Sequence, residues 1–129
     1  MKLLSKKSSI VLVNAQDASS QKSKEMKTVL IVGRLLTNIP NEKDVAIKNV
    51  RMIGATNIEE VKSVFENNDN NINIVIIGAG IELEKRLVIV EYIFNTSNTI
   101  TVHMKDRAGG PEGFLPFINK VLLGMVASD

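Results

Sequence analysis

The residues best suited to chemistry lie late in the chain. His103-Met104-Lys105-Asp106-Arg107-Ala108-Gly109-Gly110-Pro111-Glu112-Gly113 places an imidazole, two cations and two carboxylates among three glycines. Amides freed in a glycine-rich turn beside Lys105 and Arg107 suit an anion. Glu112 brings a negative charge close to the same amides and can satisfy them instead. A plain connection with solvated charges remains the competing reading. His103, between Val102 and Met104, has the setting of a strand residue, where a lone histidine is packed or hydrogen-bonded more often than catalytic. Asp106 is the nearest group in sequence that could orient it.

Two further places carry chemical potential. Gly78-Ala79-Gly80-Ile81-Glu82-Leu83 follows an apolar run and precedes a helical pattern, the setting of a dinucleotide-binding turn. Leu83 stands where the third glycine belongs, and any tight strand-to-helix turn uses glycine in this way. Arg34 follows Gly33 at the end of another apolar run. The candidate ligand-binding set is therefore Arg34, Gly78, Gly80, His103, Lys105, Arg107, Gly109 and Gly110. No catalytic set emerges. With no cysteine there is no thiol nucleophile, redox pair or thiolate metal site, and one histidine cannot build a multi-histidine centre. Neither metal nor cofactor is expected.

These residues need a scaffold, and the hydrophobic pattern supplies one. Thr28–Val32 is a continuous β-branched-rich run closed by Gly33, the pattern of a buried strand. Residues 34–47, with Pro40, allow at most a short helix. Asn49–Ile53 reads as a second strand. Thr56-Asn57-Ile58-Glu59 has capping-box spacing, and Ile58, Val61, Val64 and Phe65 share a helical face. After the polar stretch 66–71, Ile72–Ile77 is a third strand. A helix over 81–94 aligns Leu83, Leu87, Val90 and Phe94, with Glu82 and Arg86 spaced for an i,i+4 pair. Thr99–Met104 is the fourth strand. Pro116 belongs in a first helical turn, so the last helix starts near Gly113 and buries Phe114, Ile118, Val121, Leu122 and Met125.

Strands alternating with helices imply right-handed parallel crossovers. The expected fold is a single three-layer α/β domain over 27–129, its four-stranded parallel sheet in the order 2-1-3-4 with helices on both faces. Arg34, Gly78–Gly80 and the 105–113 loop then all emerge at the carboxyl ends of the strands. The switch point, where open α/β sheets take ligands, falls between the first and third strands.

Composition fits such a domain: 129 residues, 44% hydrophobic and 23% charged, with only four Phe and one Tyr, so that the core is aliphatic. The net charge of +2 is unevenly placed. Residues 1–27 hold six lysines against Asp17 and Glu25, while the remainder holds ten basic and twelve acidic residues. Residues 1–26 read as a basic tail, either outside the fold or contributing an extra edge strand at 9–13, where Ile10–Val13 is apolar. The leader does not read as a secretory signal, because Lys6 and Lys7 interrupt its apolar stretch. No apolar run reaches membrane-spanning length. Together with the lack of cysteine this fits the cytoplasm. Nucleic acid is not expected, since the tail lacks aromatic side chains for base stacking.

Val29–Val32, the helix at 57–67, and the strands at Ile72–Ile77 and near 99–104 resemble the first four strands of a two-component receiver domain, over about three-quarters of the chain. The resemblance implies a flavodoxin-like fold. Receivers carry acidic residues after the first strand and a phosphoacceptor aspartate at the end of the third. Here those places hold Gly33-Arg34 and Gly78-Ala79-Gly80, so the resemblance implies a pseudo-receiver that neither binds Mg²⁺ nor accepts phosphate. The chain is equally similar to small stand-alone bacterial Rossmann-like proteins of unassigned function. The expected function is a non-catalytic binding or interaction module, with a protein partner or self-association. The alternative is a protein, with or without enzymatic activity, that binds a small anionic ligand or nucleotide at the carboxyl edge of the sheet.

Overall fold

The computed structural model describes residues 26–127. The tail and edge-strand expectations for the leader therefore lie outside the described residues. β1 (Lys27–Val32) is the centre of the sheet, and Val29, Leu30, Ile31 and Val32 are all fully buried. It pairs in parallel with β2 (Val50–Ala55) on one side and β3 (Ile74–Ile77) on the other. β4 (Thr101–Met104) pairs in parallel with β3, giving the expected order β2-β1-β3-β4. Among the described residues α1 (Ile58–Asn67) joins β2 to β3, α2 (Leu83–Thr96) joins β3 to β4, and α3 (Phe114–Leu122) follows β4.

Successive residues along the central strands enter different apolar clusters, as the two-residue period of a strand requires. Leu30, Val32, Val75 and Ile77 pack with Val61 and Phe65 of α1 and with Ile89 and Ile93 of α2. Val29, Ile31, Ile74 and Ile76 pack with Phe114, Ile118 and Leu122 of α3. Val121 and Met125 border that second cluster, partly buried.

Polar residues set several boundaries differently from the apolar runs. β3 begins at Ile74 rather than Ile72 because the Asn73 carboxamide accepts the Thr28 amide at 2.8 Å while the Asn73 amide donates to the Thr28 carbonyl. The cap of α1 is shifted by one residue: Asn57 accepts the Glu60 amide at 2.9 Å, and the Glu60 carboxylate accepts both the amide and the hydroxyl of Thr56. In the polar turn after α1, Asp69 and Asn70 adopt φ of 53° and 58°, a conformation these side chains tolerate. Residues 34–47 form two 3-10 turns, Leu36–Asn38 and Glu42–Asp44, in place of a short helix.

The expected stripe on α2 is corrected. Leu83, Leu87 and Phe94 are about half exposed, and Ile89 and Ile93 are the residues that reach the core. The Glu82–Arg86 pair is also absent. Glu82 lies 3.9 Å from Lys85, whereas the Arg86 guanidinium donates to the Lys105 carbonyl at 3.2 Å, because a partly buried guanidinium takes the carbonyl beneath it.

Candidate functional site

The carboxyl ends of β1, β3 and β4 open into a crevice of about 380 Å³ at the point where the connections diverge. Its walls come from three loops. Gly33 and Arg34 follow β1, Gly78, Ala79 and Gly80 follow β3, and Lys105, Arg107, Gly110 and Pro111 follow β4. Phe114, the first residue of α3, forms the floor.

The glycines serve this floor. A Cβ on Gly78 would stand 3.2 Å from Cζ of Phe114, and one on Gly33 would stand 3.2 Å from the Ile39 side chain and 3.7 Å from the Phe114 ring. The Phe114 ring thus occupies the space that two missing side chains leave. Gly80 allows the aliphatic part of Arg34 to lie against it, since a Cβ there would stand 3.3 Å from Cβ of Arg34. Ile81 turns into the core and α2 begins at Leu83. The Gly78–Gly80 segment is a packed turn.

The loop after β4 is organised by Lys105. Its ammonium donates to the Asp106 carboxylate at 2.8 Å, to the Asp106 carbonyl at 3.1 Å and to the Ala108 carbonyl. An ammonium has three donors, so all are engaged. The Lys105 side chain is only 12% exposed, against 80% for Asp106. The hydrogen bond from Lys105, then that from the Ala108 amide, hold the Asp106 carboxyl below its usual range. Gly109 and Gly110 follow with φ of 84° and 60°, which side-chain-bearing residues adopt only at a cost, and Pro111–Gly113 make a 3-10 turn into α3.

Arg34 and Arg107 differ from Lys105. Both are exposed, and neither guanidinium has a hydrogen bond or ion pair among the described residues. They line the same crevice, and no carboxylate does.

Of the sequence candidates, Arg34, Gly78, Gly80, Lys105, Arg107 and Gly110 meet at this crevice; Gly109 shapes its loop without lining it. His103 is elsewhere. It pairs with Ile76 inside the sheet, its Nε2 lies 3.1 Å from the Thr101 hydroxyl, and burial pushes its pKa down. Asp106 is committed to Lys105 and Ala108 and does not orient the imidazole. Phe114 was not expected in the site, and Pro111 was expected only as part of the 105–113 loop. Phe114 has the sequence signature of a core residue, and only its place opposite Gly33 and Gly78 makes it a floor. Among the described residues, no three His, Asp or Glu side chains gather as metal ligands, and no helix is long and apolar enough to cross a membrane. The parallel sheet and its order are compatible with a flavodoxin-like fold. No protein-family model, curated protein or solved structure matches the chain.

Proposed function

We propose that this protein is a non-catalytic binding module, receiver-like in plan, whose crevice at the carboxyl ends of the strands takes a small anionic ligand. The observation that carries this reading is the pair Arg34 and Arg107, two unpartnered guanidinium groups on one crevice with no carboxylate in its lining. Guanidinium groups bind carboxylate and phosphate oxygens through paired hydrogen bonds. The receiver-like plan supports the location, and the replacement of its carboxylates by Gly33-Arg34 and Gly78-Ala79-Gly80 reverses the local charge. Lys105 serves the site indirectly, by fixing the loop that carries Arg107 and Gly110.

Inorganic phosphate and ATP are the probes. Titration of either should move the amide resonances of Gly78, Gly80 and Gly110, and R34A with R107A should weaken the response at least about tenfold, the effect of losing one to two charge-assisted hydrogen bonds. Both arginines are exposed, so the double variant should keep its unfolding midpoint. Unmoved resonances at millimolar phosphate and ATP would sink the proposal.

A further inference from the structure

We propose that two copies of this chain pair antiparallel along β4, about a twofold axis at His103, so that their sheets join and their α2 helices pack together. The two edges of the sheet differ. On β2 the outward Met52 amide donates to the Glu42 carboxylate at 2.9 Å, and the Ile39 side chain lies against Gly54, so residues 39–44 close that edge. On β4 the amides of Thr101 and Lys105 turn inward to the carbonyls of Asn73 and Ile77. By alternation the amides and carbonyls of Val102 and Met104 turn outward, where among the described residues they have no partner. Proteins that work alone blunt such an edge with lysine, proline or a bulge. Thr101–Met104 contains no lysine or proline and pairs with β3 residue for residue.

This edge is complementary to itself. In an antiparallel pair, two opposed outward residues exchange both of their hydrogen bonds. With His103 on the axis, Val102 faces Met104 of the second copy and Met104 faces its Val102. Every outward amide and carbonyl of the two residues then has a partner.

α2 is placed for the same axis. It shares its core cluster with Val75 and Ile77 of β3 and with Val102 of β4, and so lies over the gap between those strands. Strands about 4.8 Å apart put α2 one spacing from the axis, and therefore about 10 Å from its copy. That is the distance at which helices pack. The centres agree lengthwise as well. Arg86 donates to the Lys105 carbonyl, two residues beyond His103, or about 7 Å along the strand. α2 runs back along the sheet and covers that distance in about four residues, which brings Val90 level with the axis. Leu87 and Phe94 lie on either side of Val90, so that Leu87 of each copy meets Phe94 of the other.

The surfaces that meet are apolar and open. One side of α2 faces α1, with Tyr92 against the Phe65 ring. The opposite side carries Leu83, Leu87 and Phe94, which are 53%, 52% and 52% exposed, and Met104 beside them is 40% exposed. None of them is charged, as a surface that meets its own copy requires. With the paired backbone they bury on the order of 1,000 Å² over two copies, the lower end for a specific interface.

Light scattering and hydrogen exchange on the full 129-residue chain, from about 5 to about 500 μM, test this. The mass should rise to that of a dimer and stop there, because the outermost edges are then the closed β2 edges. Exchange at Val102 and Met104 should slow at least about tenfold over that range, with the buried Leu30 amide unchanged. L87E puts a charge into the helix contact, and M104P removes an outward amide while sparing the inward bonds. Each should weaken association at least about tenfold. V88E, on the α1 side of α2, should leave it unchanged. A monomer at the highest concentration, or growth beyond a dimer, would overturn the proposal. Protection of Val102 and Met104 at a monomer mass would also overturn it, by giving the edge to another segment of the same chain. A dimer that survives L87E would place the contact elsewhere and sink it too.

Discussion

α2 and α3 are both rich in large apolar residues, yet they are used in opposite ways. α3 lies on the central strands and buries Phe114, Ile118 and Leu122, at i, i+4 and i+8, against Val29, Ile31, Ile74 and Ile76. α2 carries apolar side chains around most of its circumference and buries only Ile89 and Ile93. The difference comes from position in the sheet. A helix over two central strands finds apolar partners along its whole face, whereas a helix beside an edge strand runs out of sheet. Burial is set by what lies opposite a residue, and a helix's own hydrophobicity does not decide it.

The comparison can be broken at its anchors. I118A on α3 and I93A on α2 each remove a fully buried side chain and should cost about 2–5 kcal/mol in urea or guanidinium unfolding. A cost for I93A well below that of I118A would mean that α2 is docked loosely along its whole length, not only on its outer flank. The floor beneath α3 gives a smaller effect. G78A sets a methyl group 3.2 Å from the Phe114 ring and should cost about 1–3 kcal/mol, while G124A, which meets nothing within 4 Å, should cost no stability. Equal midpoints for the two variants would remove Phe114 from its role as floor.

The smallest effect is one of pH. Burial holds the His103 pKa below its ordinary 6.5, so the unfolded chain takes up the proton first as pH falls. Stability contributed by the neutral imidazole is therefore present above pH 6.5 and declines as pH drops from there toward the folded pKa. H103Q should flatten the difference in unfolding midpoint between pH 7.5 and pH 5.5. An unchanged difference would place the titration elsewhere. Asp106 acts in a separate window, because its lowered pKa lets its contribution survive until pH falls below the ordinary value of 3.8.

The sequence made the strands and their order legible because β1 and β3 are nearly unbroken apolar runs, which only a sheet interior accommodates. The face of α2 was not legible. Leu83, Leu87, Val90 and Phe94 repeat as regularly as Arg86, Ile89 and Ile93, so periodicity alone cannot choose between the two sets. At the crevice, the meeting of Arg34, Gly78, Gly80, Lys105, Arg107 and Gly110 followed from parallel topology. The engagement of Lys105 did not, since it depends on how residues 106–108 fold back on its ammonium. His103 was drawn into the candidate set by proximity in sequence, and its pairing with Ile76 removes it from the crevice.

The place of β1 in the sheet also bears on synthesis. β1 is the first described strand to leave the ribosome, and both of its partners follow it. The Thr28–Asn73 contact that starts its pairing with β3 joins residues 45 apart. At ordinary elongation rates that interval is roughly 2–9 s. For those seconds Val29–Val32, later the most deeply buried segment, has one side without a template. Parallel pairing of distant segments is slow in any case. The nascent chain therefore passes through a stage in which its stickiest stretch is available to other chains and to chaperones, and its yield in a cell depends on how quickly β3 arrives.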